Sequence, residues 1–283
     1  MCDAACQRMS TMLPITRIAS PHGPTENTLY VLHGILGSRR NWRTFARRIT
    51  QQCPGWEVHT LDLPEHGDTE HQPGPHTLDK MVDTIAEHAA QGKPPTAILG
   101  HSFGGKVAAS YAHRFGAHLK ACVVVDSAPE SAEESQADDG LVSRVIRTLD
   151  GCRGPFLERN DARTALRGSD VPEPIVAWLL TALKRDEHGW RWAFNLDAMA
   201  PLLGSYRATD LWALLERGGE LPVPYTVVCA GREGRWTAHH LERLATLEAK
   251  QRVQHHLFHD AGHWIHVDEP DELLRVIADA LNP

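Results

Sequence analysis

Six apolar runs recur along this chain, each bounded by polar or turn residues. They cover 29–33, 57–62, 96–99, 120–126, 224–230 and 253–258, and the run that carries Val123, Val124 and Val125 in succession is the most strand-like. Four of these runs are largely apolar, as strands buried on both faces are, whereas 57–62 and 253–258 mix apolar with polar residues. Between them the segments 39–51, 77–91, 237–249 and 269–281, together with the stretch after Ser102, repeat apolar residues at helical spacing. Strand runs alternating with helical segments predict an α/β fold: a mostly parallel, doubly wound sheet with helices on both faces. Segment 13–19 is a candidate edge strand.

The alternation breaks once. Between Asp126 and Tyr225 lie roughly 95 residues, far more than an ordinary crossover needs. This region holds Trp178, Trp190, Trp192 and Trp212, and short helices are expected at 163–166, 175–185 and 210–217. We read 130–222 as a helical lid inserted into a core made of 1–129 and 223–283. Its aromatic residues are expected first as packing and only second as ligand contacts.

The densest chemical signal is Gly100-His101-Ser102-Phe103-Gly104, with a further glycine at Gly105. A strand run leads in and a helical stretch leads out, so Ser102 falls on a sharp strand-to-helix turn that pushes its hydroxyl clear of the backbone. Flanking glycines relieve the crowding such a turn creates. A serine hydroxyl is a weak nucleophile at its ordinary pKa, so Ser102 needs a base, and the base needs an acid to orient it. His263, in the loop that follows the last strand run, is the candidate base; His266 is its nearest rival. Two carboxylates compete for the acid. Asp126 ends the strand next to the nucleophile strand, and neighbouring parallel strands finish on the same sheet edge, which makes it the preferred choice. Glu233, in the loop after 224–230, is the alternative. Acyl transfer also needs donors for an oxyanion. The Phe103 amide is one by position, and the loop from His33 to Gly37 supplies the second, with Ile35 the first choice and Leu36 the alternative. His33 itself is expected to brace that loop.

Composition narrows the partners. The chain has 283 residues, 42% hydrophobic and 23% charged, with a formal net charge of -7. That charge argues against general affinity for nucleic acid and leaves a small molecule as the expected partner. No stretch approaches the roughly 20 apolar residues of a membrane span. The first twelve residues carry Asp3 and Arg8 without a continuous apolar run, so no secretory signal is read there and cytoplasm is the expected compartment. The six cysteines show no Cys-x-x-Cys spacing, which points to free thiols; Cys122 and Cys229 fall inside strand runs. Eighteen histidines raise the question of a metal, but His255, His256, His259 and His263 follow a strand-then-loop pattern without helical ligand spacing, and none is expected. Arg39, Arg40, Arg43, Arg47 and Arg48 are expected to form the solvated face of one helix.

With His33-Gly34 to Gly37, the segment from Asp62 to Gly67, Gly100 to Gly105, and Gly262-His263, the chain resembles the α/β-hydrolase fold family from about residue 29 to its end. In most of that family the acid stands about three residues past a glycine that follows the strand at 224–230. Here that position is Gly234. The step Asp126-Ser127-Ala128-Pro129 instead looks like the small bacterial carboxylesterases and their mitochondrial relatives, which take their acid from the earlier strand. The resemblance implies hydrolysis of acyl esters or thioesters through an acyl-enzyme, with no cofactor. Pro64-Glu65 departs from the pattern, because basic or small residues are common at that place in this branch. Two other readings stay open: a carbon–carbon bond hydrolase or lyase on the same fold, and a non-catalytic ligand-binding receptor.

Overall fold

The computed structural model of the chain describes residues 12–127, 129–131, 140–216, 221–232, 234–250 and 253–282. Glu233 lies outside these residues, as do Ala128, Cys2 and Cys6, and all but the last of the twelve N-terminal residues.

Each of the six apolar runs is a strand. A seven-stranded sheet is built from β1 (Ile15–Ile18), β2 (Asn27–Leu32), β3 (Trp56–Leu61), β4 (Ala97–His101), β5 (Ala121–Val125), β8 (Tyr225–Ala230) and β9 (Val253–Phe258) in the spatial order β1-β3-β2-β4-β5-β8-β9. The edge strand β1 pairs antiparallel with β3, and every other neighbour is parallel. A second, two-stranded sheet pairs β6 (Leu183–Asp186) with β7 (Gly189–Trp192).

Alternate side chains along each strand go to opposite faces, and this divides the core in two. Val31, Leu99, Val123, Val125 and Val228 face α1 (Arg43–Gln52) and α11 (Pro270–Leu281), joining Phe45, Ile49, Leu273 and Ile277. Tyr30, Leu32, Ile98, Cys122, Val124 and Val227 face the other way, toward α2 (Leu78–Gln91), α3 (Phe103–Phe115) and α9 (Ala238–Ala249). Between β5 and β8 the chain adds α4 (Leu141–Asp150), α5 (Arg159–Leu166), α6 (Glu173–Leu180), the β6–β7 hairpin, α7 (Leu196–Ala208) and α8 (Trp212–Leu215). The buried apolar residues of this segment, Trp192, Met199, Leu202 and Trp212 among them, belong to the α2–α3 core. A short α10 (Ile265–Asp268) precedes α11.

Two expectations need correcting. The inserted segment is not purely helical: the helix expected at 175–185 stops at Leu180, and Leu183 starts a strand. The hairpin turns at Gly189, whose φ of +124° suits glycine and whose Cα faces the Phe156 carbonyl too closely for a Cβ. Asp268 accepts the Gly262 amide at 2.7 Å and so braces the His263 loop. Finally, Arg40, Arg43 and Arg47 are exposed, but Arg39 is drawn into ion pairs with Asp62 and Asp68.

Candidate active site

Ser102 links β4 to α3 at φ 54°, ψ −120°, a left-handed conformation that non-glycine residues adopt at a cost of order 1–3 kcal/mol. The glycines around it are required sterically. A Cβ at Gly100 would lie 1.9 Å from the Gly104 carbonyl oxygen, and one at Gly104 would lie 2.5 Å from the His33 carbonyl oxygen. Only bare Cα atoms let β4, α3 and β2 meet this closely.

The parallel register of β4 and β5 sets what stands beside the elbow. His101 pairs with Val125, and the Ser102 amide donates to the Val125 carbonyl at 2.8 Å, so Asp126 is the next residue along the same edge. Asp126 also has positive φ, 44°, and its carboxylate is almost fully buried. One oxygen accepts from the Trp236 indole N–H at 2.7 Å and from the Ala230 amide at 3.2 Å. The other accepts from His263 Nδ1 at 2.6 Å and lies 3.8 Å from the Arg235 guanidinium. Burial alone would raise the carboxyl pKa; the His263 hydrogen bond and charge, Arg235 and the indole outweigh it and hold the group down at about 2. An ionised carboxylate can only accept, so His263 Nδ1 carries the proton of this hydrogen bond.

His263 is held from several sides. Its carbonyl accepts from His101 Nε2 at 2.8 Å, and the two rings lie 4.6 Å apart. Burial drives the His101 pKa well below its usual value, so that ring is neutral and donates through Nε2–H. The Asp268 carboxylate holds Gly262 on one side, and the Arg232 amide donates to the Ala261 carbonyl at 3.0 Å on the other. His266 goes elsewhere: it stacks on Trp42 with ring centroids 4.3 Å apart.

The loop from His33 to Gly37 rests on the elbow, where a Cβ at Gly34 would sit 3.4 Å from the Ser102 Cβ. Gly37 donates to the Gly34 carbonyl to close the turn, and Leu36 has φ 62°. His33 braces it: Nδ1–H donates to the Gly34 carbonyl at 2.7 Å and Nε2 accepts the Leu63 amide at 3.0 Å. Burial lowers its pKa to about 4, which agrees with the neutral tautomer those bonds require. Ile35 follows Gly34 in this loop, and the Phe103 amide is the first of α3, where no intrahelical acceptor is available.

Sequence reasoning missed Trp236, Arg235 and His101. The first two lie in the loop after β8, which brings the Trp236 indole and the Arg235 guanidinium against Asp126. His101 stands inside the elbow motif, where its type passes as a variable position. Glu65, the departure noted above, is buried: its carboxylate accepts from Asn195 Nδ2 at 2.7 Å and from the Gln72 amide at 2.9 Å.

Among the described residues no helix is long and apolar enough to cross a membrane. The chain is 24% identical over 270 residues to the sn-1-specific diacylglycerol lipase ABHD11 of Mus musculus, covering 95% of this chain and 85% of that protein. It is 28% identical over 274 residues to Lipase LipV of Mycobacterium tuberculosis, covering 93% of this chain and 95% of that one. Among solved structures, a marine microorganism esterase superposes with a TM-score of 0.80 at 20% identity, covering 96% of this chain and 100% of the other, a likeness of fold. The family model of the alpha/beta hydrolase family matches residues 29–276, nearly the whole of the sheet and its helices, and the chain belongs to that family.

Proposed function

We propose that this protein is a serine hydrolase that cleaves small acyl esters or thioesters through an acyl-enzyme. One observation carries the reading: the buried, ionised Asp126 accepts a hydrogen bond from His263 Nδ1–H at 2.6 Å, on the sheet edge beside a serine held in a strained turn. The lipase and esterase names of its relatives support an ester as substrate. In this mechanism Nε2 of His263 takes the Ser102 hydroxyl proton as Oγ attacks the acyl carbon. The resulting oxyanion accepts hydrogen bonds from the Phe103 and Ile35 amides, and Asp126 stabilises the imidazolium. His263 then gives the proton to the leaving alcohol or thiol. Water, deprotonated by the same ring, attacks the acyl-enzyme, releases the acid and restores Ser102. The segment 130–222 serves as a cap over this site, and the first and last parts of the chain form the catalytic core.

Hydrolysis of p-nitrophenyl esters and the matching thioesters tests the reading. Ser102→Ala and Asp126→Asn should each lower kcat by about 10⁴-fold, whereas Glu233→Gln should stay near the parent rate. Full activity in Asp126→Asn would overturn the assignment of the acid. Saturable ligand binding without turnover in the parent protein would favour the receptor reading.

A further inference from the structure

Lys106 lies one turn into α3, on the helix that begins at the nucleophile, and it is among the largest fully buried side chains of the protein. A buried lysine is costly unless its ammonium is satisfied. Here Nζ donates to three backbone carbonyls: Thr209 at 2.6 Å, Glu130 at 2.7 Å and Tyr206 at 3.0 Å. Tyr206 is in the last turn of α7 and Thr209 is its C-cap. Two of the three acceptors are therefore at a helix C-terminus, where the dipole favours a cation; the Tyr206 carbonyl also accepts the Thr209 amide at 3.2 Å. The opposite end of α7 is held by opposite charge, because its N-cap Asn195 bonds the buried Glu65 carboxylate.

The helix pinned in this way presents Tyr206 to the site. Its ring stacks on Phe103 with centroids 5.6 Å apart, its hydroxyl lies 3.4 Å from Ser127 Oγ, and Lys106 Nζ sits 4.4 Å from its centroid. Phe103 and Ser127 directly follow Ser102 and Asp126. We propose that Lys106 is a positioning residue: by capping α7 it holds Tyr206 against Phe103 and makes α7 a fixed wall of the acyl site, not a mobile flap. This rests on the serine-hydrolase reading above.

A double-mutant cycle on the full chain tests it, with kcat and KM measured for p-nitrophenyl acetate and octanoate. Lys106→Met and Tyr206→Ala should each lower kcat on acetate by about ten-fold, since small displacements at a reacting centre are costly. Both should shift the octanoate-to-acetate ratio in the same direction, and the double variant should be no worse than either single one. Tyr206→Phe, which keeps the ring, should stay within about two-fold of the parent. Multiplicative losses in the double variant, or an unchanged chain-length ratio in Lys106→Met, would overturn the proposal.

If Lys106→Met does not fold, the parent protein supplies a second readout. Burial lowers the Lys106 pKa to about 8, against the opposing charges of Glu130 and Asp210. Glu130 is itself paired with His240, and Tyr206 also feels Arg235 and Asp126. Above pH 8 the neutral amine keeps two N–H groups for three carbonyls, so kcat should fall on an alkaline limb that Tyr206→Ala lacks. The same limb in Tyr206→Ala would contradict the proposal. Retained hydrolysis in Ser102→Ala would instead sink the serine-hydrolase reading itself, so the two failures are distinct.

Discussion

Asp126 keeps its negative charge inside the protein because Trp236, Ala230, His263 and Arg235 all face it. Removing one donor to a buried carboxylate typically costs about 1.5–3 kcal/mol. Trp236→Phe should therefore leave the carboxylate under-bonded and the His263 ring less firmly oriented. We expect kcat to fall about ten-fold with KM changed less than about two-fold, since the indole acts through Asp126 and not on substrate. Steady-state kinetics on p-nitrophenyl acetate would check this; a parent-like rate would show that the indole has no part in orienting the pair. The strained turn at Ser102 is legible in the sequence because it requires glycines within three residues. The indole is not, because its partner lies 110 residues away. Nothing local in the sequence around Trp236 marks it as a donor to an acid on another strand.

Elements show the same division between local and distant causes. Central strands of a parallel sheet are buried on both faces, so the apolar run of β5 is dense; the edge strand β9 also occupies the expected 253–258, although only Val253 and Phe258 of it are buried. The edge strand β1 also forms where segment 13–19 is apolar enough to pair with β3. The inserted segment is harder. Its hairpin from Leu183 to Trp192 mixes charges with tryptophans, and its second strand is fixed in part by a bridge from Trp190 to the distant Phe156. Helix α7 carries Pro201 and Gly204, which mask its helical pattern. What holds it is tertiary: Glu65 at one end, Lys106 at the other, and Ser205 Oγ accepting the first amide of α2 at 2.9 Å. The unusual Glu65 makes sense only once Asn195 is seen opposite it. Only the folded chain brings Glu65 and Asn195 together.

Taken together, the buried imidazoles govern how the protein responds to acid. Burial holds His33 and His266 down at about 4 and His66 at about 3, and His101 well below its ordinary value. In each, the folded pKa is below the unfolded value of about 6.5, so the unfolded chain binds more protons across that interval. Stability is thus full above pH 6.5 and is lost as pH falls toward 4, at about 1.4 kcal/mol per proton per pH unit. Four such groups remove several kcal/mol by about pH 5, a large part of a typical domain's stability. Urea unfolding at pH 7, 6 and 5 should show the midpoint dropping steeply, well before Asp126 begins to protonate. A midpoint unchanged down to pH 5 would mean these rings are not held neutral.

The site stands or falls on whether Ser102 is the nucleophile that His263 and Asp126 serve. Labelling the intact protein with a fluorophosphonate and mapping the adduct by mass spectrometry answers this. One phosphonyl group should appear on Ser102 within the peptide that follows β4, its rate of formation should collapse in His263→Ala, and no adduct should form in Ser102→Ala. An adduct on any other residue, or undiminished labelling of Ser102→Ala, would contradict the account.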